Sequence, residues 1–212
     1  MRAFLSRTAL LGLILFVAAA MAPKVAVDDV RVGTVARVKP TAIAIQDAQP
    51  RVLAQGSPIF RNDIISTGLG ARVQMRMIDD TVLTLSGRSQ FVVQQYEFGA
   101  GKGNAAVRLL SGSLRAVSGR IAKLDVNAFK VVTDVATIGV RGTDFWIGPF
   151  HGVTHVELQD DSAIFVENRA GRVEIKRAGW GTFIKSADSA PTAPEFWPKW
   201  MNDRVKESMS FD

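Results

Sequence analysis

Apolar and polar residues alternate with a period of two through most of this chain, and this pattern limits what it can fold into. The alternation is clear at residues 72–77, 129–132 and 172–176, and no segment between residues 56 and 181 keeps a 3.6-residue apolar period for long. A period of two places successive side chains on opposite faces of a strand. Sixteen of the 18 glycines lie between Gly56 and Gly181, where they can supply turns. The sequence therefore predicts an all-β body of about a dozen short strands.

Short polar segments mark the expected connections between these strands. Residues 78–81, 159–162 and 168–171 each have the composition of a tight connection between two strands. Residues 99–104 (Gly-Ala-Gly-Lys-Gly-Asn) predict a flexible hairpin loop. A phosphate-binding loop would need a Lys-Ser/Thr pair and a following helix, whereas residues 107–110 have a strand pattern.

The composition excludes several classes of protein. The chain of 212 residues is 47% hydrophobic, which is enough for a core and argues against disorder. It has no cysteine, so disulfides and Cys-ligated metal sites are excluded. The only histidines are His151 and His155, which we interpret as strand residues without a clearly placed third metal ligand.

The first 22 residues have the features of an export signal. Arg2 and Arg7 precede an uncharged run at residues 9–20, and small residues at 18–22 fit a cleavage site. The run is short for a membrane span, although an uncleaved anchor is the alternative. We therefore expect a periplasmic or secreted bacterial protein without a stable membrane span after cleavage. Removal of both arginines would reduce the net charge from +6 to +4. Such a protein meets anionic envelope surfaces rather than nucleic acid, although a net charge of +4 is equally consistent with a role in solubility alone.

The composition changes again at the C-terminal end. Residues 186–212 read as a proline-containing linker followed by a short amphipathic helix. One face of this helix would carry the apolar residues Trp197, Trp200, Met201, Val205 and Met209. The helix either packs on the β body as a lid or docks onto a partner or a membrane surface.

Two segments together resemble the FecR domain, the extracytoplasmic module of bacterial iron-uptake regulators and of exported stand-alone proteins. The first is Asn-Asp-Ile-Ile-Ser-Thr-Gly at residues 62–68, followed by an alternating strand and the Asp-Asp-Thr turn at 79–81. The second is Ile-Gly-Val-Arg-Gly-Thr-Asp-Phe at residues 138–145. Asp80 stands where the family has a turn glycine, and Asp134 follows Thr133 where members often have Thr-Pro.

The resemblance covers about residues 30–180 and implies a solenoid-like or sandwich-like FecR domain over residues 28–185. The cytoplasmic sigma-factor-binding part of the iron regulators has no counterpart ahead of the export signal, so we do not expect a complete transmembrane sensor. The candidate binding or structural residues of the two motifs are Asp63, Thr67, Gly68, Arg141, Gly142, Thr143 and Asp144. Arg141 either pairs inside the fold with Asp63 or Asp144, or braces carbonyl oxygens there, or faces a carboxylate or phosphate ligand.

Nothing in the sequence predicts catalysis. The carboxylate pairs Asp79–Asp80 and Asp160–Asp161 are expected at hydrated turn tips, where their pKa values would not separate as acid–base catalysis requires; a weak calcium site is the alternative there. We therefore expect no enzyme activity, no catalytic residue, no cofactor and no metal site.

The expected function is that of an exported binding or signalling-accessory module whose partner is another envelope protein. The alternative is a module that binds cell-wall polymer or another anionic polysaccharide through a row of exposed aromatic rings. The candidates for that row are Trp146, Trp180, Trp197 and Trp200.

Overall fold

A computed structural model of the protein describes residues 30–125 and 127–212. The predicted export signal at residues 1–22 lies outside the described residues. In the described part of the chain, no helix is both long enough and apolar enough to cross a lipid bilayer.

The chain forms more strands than expected, because several are only two to four residues long. The strands are β1 (Arg31–Lys39), β2 (Ala42–Gln46), β3 (Gln49–Leu53), β4 (Pro58–Phe60), β5 (Ile64–Thr67), β6 (Arg72–Met77), β7 (Val82–Leu85), β8 (Gln90–Gly99), β9 (Lys102–Ser111), β10 (Leu114–Val117), β11 (Phe129–Val132), β12 (Thr137–Arg141), β13 (Asp144–Phe150), β14 (Val153–Leu158), β15 (Ala163–Asn168), β16 (Gly171–Ile175), β17 (Trp180–Ile184) and β18 (Glu195–Phe196). A 3-10 helix (Ile121–Lys123) lies between β10 and β11, and a C-terminal helix, α1, spans Lys199–Met209.

The strands form two nine-stranded sheets that face each other. Sheet I has the order β18-β17-β14-β13-β10-β7-β6-β1-β4, and sheet II has the order β16-β15-β12-β11-β9-β8-β5-β2-β3. Neighbouring strands are antiparallel except for β9 and β11, which pair in parallel. From β6 onward, consecutive hairpins lie alternately in the two sheets, with β10 as a single strand between them. The predicted all-β, sandwich-like fold with a short C-terminal helix is confirmed.

One continuous hydrophobic core fills the space between the sheets. Its largest fully buried members include Phe91, Phe129 and Phe145. The register places buried residues of neighbouring strands opposite each other, as with Ile65 and Phe91. The alternation in the sequence thus assigns inward and outward positions correctly.

Two of the predicted connections are hairpin turns. Residues 78–81 join β6 to β7, with Asp80 at a φ of 70°, and residues 168–171 join β15 to β16. The glycine-rich segment also forms a hairpin, but only Ala100 and Gly101 lie between β8 and β9. The connection at residues 159–162 differs, because it leads from β14 in sheet I to β15 in sheet II.

The C-terminal helix covers the outer face of sheet I. Val205 and Met209 of α1 and Trp197 just before it form a second buried cluster with Trp146 of β13. Arg72 of β6 holds the end of the helix, since it donates hydrogen bonds to the carbonyl oxygens of Ser208 (2.9 Å) and Glu207 (3.1 Å). Of the two alternatives for this helix, the structure therefore has the lid on the β body.

The prediction of the apolar face of α1 is wrong for Trp200, which is exposed to solvent. Trp200 is 54% exposed, whereas Trp197 is 2% exposed. The helix begins at Lys199 after the N-cap Pro198, so Trp197 lies outside it and does not share its angular spacing.

Candidate functional site

The first motif is used to fasten strands together. Asp63 is buried, and both of its carboxylate oxygens accept hydrogen bonds from Arg51 of β3, at 2.8 and 2.7 Å. The Phe60 backbone N–H also donates to Asp63, at 2.8 Å. Both bonds from Arg51 come from one guanidinium nitrogen, Nη2, while Nη1 of Arg51 donates to the Pro58 carbonyl oxygen at 3.3 Å. Arg51 thus ties the edge strand β3 to the turn between β4 and β5.

Thr67 and Gly68 form a second fastening at the other end of β5. The Thr67 hydroxyl donates to the Ser86 carbonyl oxygen (2.6 Å) and accepts from the Ser89 N–H (2.9 Å). The Gly68 carbonyl oxygen accepts from the Arg88 N–H at 3.0 Å. These bonds join β5 of sheet II to the segment that follows β7 of sheet I.

The second motif is fixed in the same way. Asp144 accepts two hydrogen bonds from Arg115 of β10, at 2.9 and 2.6 Å, and these bonds raise the pKa of Arg115. The Thr143 hydroxyl donates to Asp160 at 2.6 Å, and the Asp144 backbone N–H donates to the same carboxylate at 3.1 Å. Gly142 has a φ of 62°, a left-handed conformation that glycine adopts without strain.

The expectation that Arg141 pairs inside the fold is wrong. Its side chain is exposed, and the carboxylates of Asp63 and Asp144 are already occupied by Arg51 and Arg115. The two motifs also do not meet. Their strands β5 and β12 are separated in sheet II by β8, β9 and β11, so they lie about 19 Å apart at the usual spacing between strands. Arg141 therefore remains the motif residue available to an external ligand.

The paired carboxylates were expected in water, and this is wrong for Asp79. Asp79 is fully buried and accepts hydrogen bonds from the Tyr96 hydroxyl (2.6 Å), from Thr81 and from the Ile121 N–H (3.0 Å). Burial is the main cause that raises the pKa of Tyr96 far above its usual range, so its hydroxyl stays a donor. Asp160 is likewise engaged by Thr143. The carboxylates thus hold turns in place, and the residue that sequence reasoning missed is Tyr96.

The predicted row of exposed aromatic rings is also wrong. Trp146 and Trp197 are each 2% exposed, and Trp180 is half-buried. Both buried indoles lie over glycines of sheet I, since a Cβ at Gly148 would overlap Trp146 and a Cβ at Gly181 would overlap Trp197. These two glycines were the available signal, because a glycine on an outward strand position leaves room for a flat ring.

Beneath α1 lies a carboxyl group with an altered pKa. Glu157 of β14 is buried and accepts a hydrogen bond from the Gln159 side chain at 2.5 Å. Burial raises its pKa from 4.5 to about 7, while the positive charge of Lys206 on α1 acts in the opposite direction. This group is next to Trp146, its register partner on β13.

The two histidines have different surroundings. The His155 ring lies 5.3 to 5.7 Å from the rings of Phe150, Phe183 and Trp197, and burial lowers its pKa. His151 is exposed in the turn between β13 and β14. Among residues 30–125 and 127–212, no three His, Asp or Glu side chains cluster as a metal site would require.

The outer face of sheet II carries a row of apolar side chains. Strand pairing places Ile45 opposite Ile64, Ile64 opposite Val92, and Ile43 opposite Val52 on the edge strand β3. We call this group the apolar face; its members are Ile43, Ile45, Val52, Ile64 and Val92. Val52 is 73% exposed, and the other four members are half-buried. In the described part of the chain, α1 is the one α-helix and it lies on sheet I, so no helix covers this face.

Comparisons with known proteins agree with this architecture. Two crystal structures described as those of "a putative anti-sigma factor from Parabacteroides distasonis ATCC 8503", at 1.65 and 2.50 Å resolution, each superpose with a TM-score of 0.51. Each is 16% identical over 63% of this chain and 59% of its own length, so the likeness extends to the fold and the chain spans about three-fifths of those proteins. No curated protein sequence matches the chain.

The sequence model of the family described as FecR protein matches residues 63–174. This segment is more than half of the 212 residues. It runs from Asp63 of the first motif to β16 and includes the second motif, in which Asp144 pairs with Arg115 of a neighbouring strand. The chain therefore belongs to the FecR family.

Proposed function

We propose that this protein is an exported, non-enzymatic FecR-domain module that binds another protein of the bacterial cell envelope and serves as an accessory in signalling. The signal-like residues 1–22 support export to the periplasm or the exterior. Family membership supports a regulatory role. The similar fold of a protein described as an anti-sigma factor supports the link to signalling.

The observation that carries this proposal is the difference between the two outer sheet faces. The chain covers the outer face of sheet I with its own helix, and the buried cluster there includes Trp146 and Trp197. The apolar face on sheet II has no such cover within the described residues. A row of partly exposed apolar side chains on an uncovered sheet face is typical of a surface that binds another protein. A flat face of β-branched side chains fits a protein surface better than it fits a sugar, which needs hydrogen-bonding groups.

The placement of the tryptophans weakens the polysaccharide alternative. A sugar-binding row needs several flat rings open to solvent, and Trp146 and Trp197 pack inside the protein instead. The carboxylates that an acid–base enzyme would use are engaged as well, with Asp79 and Asp160 accepting hydrogen bonds that hold turns. Both observations favour a binding module that recognises protein.

A pull-down with matched variants tests the proposal. The full mature chain is immobilised and exposed separately to detergent-solubilised envelope proteins and to purified cell wall. Val52→Glu places a charge on the apolar face. Val117→Glu introduces the same side chain on the outer side of sheet I, where it stands opposite Asp144, so its stability is measured alongside. We expect wild type and Val117→Glu to recover the same envelope protein, and Val52→Glu to lose it by about tenfold or more.

Two outcomes would contradict the proposed function. One is retention of the chain by cell wall with no specific recovery of an envelope protein. The other is equal recovery by both variants, which would show that sheet II is not the binding face. Circular dichroism and thermal unfolding of the variants establish that both are folded, since Val52 and Val117 are exposed.

A further inference from the structure

A cleft lies beside the second motif, at the end of β12. Its walls come from the 3-10 helix and the residues after it, and from the end of β12. The cavity volume is about 530 Å³, and the lining residues are Ala122, Lys123, Leu124, Asp125, Arg141 and Gly142. A cavity of this size accommodates one or two side chains of a binding partner.

Two cations line this cleft without a carboxylate partner. Neither Lys123 nor Arg141 forms an ion pair or a side-chain hydrogen bond with any residue in the described ranges. The Lys123 stem packs over Gly142, with its Cγ 3.9 Å from where a Cβ on that glycine would lie. Asp125 is the carboxylate among the residues that line the cleft. It accepts a hydrogen bond from the Asn127 backbone N–H at 2.7 Å and so stabilises its own turn instead of pairing with either cation.

Other exposed arginines of the domain illustrate the contrast. Four of them pair with a nearby carboxylate; these pairs are Arg108–Asp134, Arg120–Asp80, Arg169–Asp188 and Arg172–Glu167. Arg76, Arg88 and Arg204 have no carboxylate partner among the described residues either, and Arg76 and Arg204 also line cavities. Arg141 differs because a second cation without a side-chain hydrogen bond in the described ranges, Lys123, lines the same cleft.

The backbone around Arg141 is held rigidly. The Thr143 backbone N–H donates to the Ser118 hydroxyl at 2.6 Å, and the Ser118 N–H donates to the Thr143 carbonyl oxygen at 2.9 Å. Asp160 fixes the other side of the loop through Thr143 and Asp144. A charged group presented from a rigid loop loses little conformational freedom on binding, which favours affinity.

The cleft is on the same side of sheet II as the apolar face. Arg141 follows Gly139 at the outward positions of β12, and Gly139 is opposite Lys130 of β11 on that side. Leu124, which is 45% exposed, adds an apolar contact next to the two cations. A partner seated on the apolar face would thus meet positive charge at this end of the sheet.

From these observations we infer that the Lys123–Arg141 cleft binds a carboxylate side chain in an acidic segment of the protein partner. The inference rests on the proposed function and adds the chemistry of the partner. Arginine recognises a carboxylate through two parallel N–H···O bonds, and Lys123 adds a second positive charge. The neighbouring Leu124 favours a segment in which acidic residues stand beside apolar ones.

Titration with synthetic peptides tests this inference. A fluorescent peptide rich in glutamate and leucine is titrated into the full mature chain, beside a matched peptide in which glutamine replaces each glutamate. The variants are Arg141→Gln and, as the control, Arg76→Gln, which removes an exposed arginine from sheet I. We expect tighter binding of the glutamate peptide to wild type and to Arg76→Gln, and about tenfold weaker binding to Arg141→Gln.

Equal affinity of wild type and Arg141→Gln would overturn the inference, as would an equal loss in Arg76→Gln. A soluble polyuronate that binds in an Arg141-dependent way while the glutamate peptide does not bind would assign the cleft to a polysaccharide instead. Arg141→Gln should unfold at the wild-type temperature, because the Arg141 side chain makes no ion pair or hydrogen bond within the described residues. If Arg141→Gln still recovers the envelope protein that Val52→Glu loses, the proposed function stands and this inference fails.

Discussion

Asp79 is an acidic side chain in the interior, and two of the hydrogen-bond donors that stabilise it there lie far away in the sequence. Tyr96 supplies one of them, and the Ile121 N–H supplies another. A buried carboxylate that loses a donor keeps the cost of its lost hydration. We therefore expect Tyr96→Phe to lower the free energy of unfolding by about 1–3 kcal/mol. Urea unfolding at pH 7 measures this, and an unchanged midpoint would contradict the role assigned to the hydroxyl.

Glu157 predicts a pH dependence of stability. Its pKa is about 7 in the folded protein, compared with an ordinary 4.5 when unfolded. Between these pH values the folded state binds more protons than the unfolded state. The contribution of this group to the free energy of unfolding is therefore highest at low pH and falls as the pH rises to about 7. Glu157→Gln should therefore stabilise the protein by about 1–2 kcal/mol at pH 8 and much less at pH 4.5. Unfolding curves at both pH values measure this, and a gain that does not depend on pH would contradict it.

At the scale of the elements, the position of the C-terminal segment depends on Gly181 of sheet I, against which Trp197 packs. A Cβ on Gly181 would overlap the Trp197 indole, whereas a Cβ on Gly99 would meet nothing within 4 Å. Gly181→Ala should therefore displace Trp197 and loosen α1, which exposes the segment after residue 186 to protease and shifts the tryptophan fluorescence to the red. Gly99→Ala is the matched control in a strand. Equal protease resistance of the two variants would show that Trp197 does not anchor the helix.

An element could be predicted from the sequence where residues within the same segment determine its structure, and could not where contacts with distant segments determine it. Alternation and turn residues are local, and they predicted the strands and the hairpins at residues 78–81 and 168–171. The spacing of apolar residues along one helical face is also local, and it predicted the C-terminal helix. The burial of Asp79 depends on Tyr96 and Ile121, which the turn sequence does not contain. The burial of Trp146 depends on α1, more than 50 residues later. A side chain on the outward face of a strand is therefore predicted to be exposed whenever the element that covers it is far away in the sequence.

The same limit applies to the candidate site. Asp63, Thr67, Thr143 and Asp144 were predicted as a binding or structural motif, and each is engaged in a hydrogen-bond network of the fold. Their partners could not be predicted, because Arg51 and Arg115 lie in other strands without a distinguishing pattern. Arg141 is exposed because Asp63 and Asp144 already pair with other arginines, Arg51 and Arg115, which lie closer to them in the fold.

At the scale of the whole molecule, the C-terminal helix covers part of one outer face of the sandwich, and no helix of the described residues lies on the other. Sheet I is covered by α1, and sheet II presents the apolar face with the Lys123–Arg141 cleft towards one end. This asymmetry predicts the side on which a protein partner sits. It also predicts that changes beneath α1 on sheet I affect stability, whereas changes at exposed positions of sheet II affect binding.

Site-specific photo-crosslinking in the cell envelope tests this central claim most directly. A photoreactive residue replaces Val52 on sheet II in one variant and Val117 on sheet I in the other, both of which are exposed. We expect a discrete protein adduct from position 52 and none from position 117. Adducts of equal yield at both positions, or none at position 52, would contradict the assignment of sheet II as the face that binds an envelope protein.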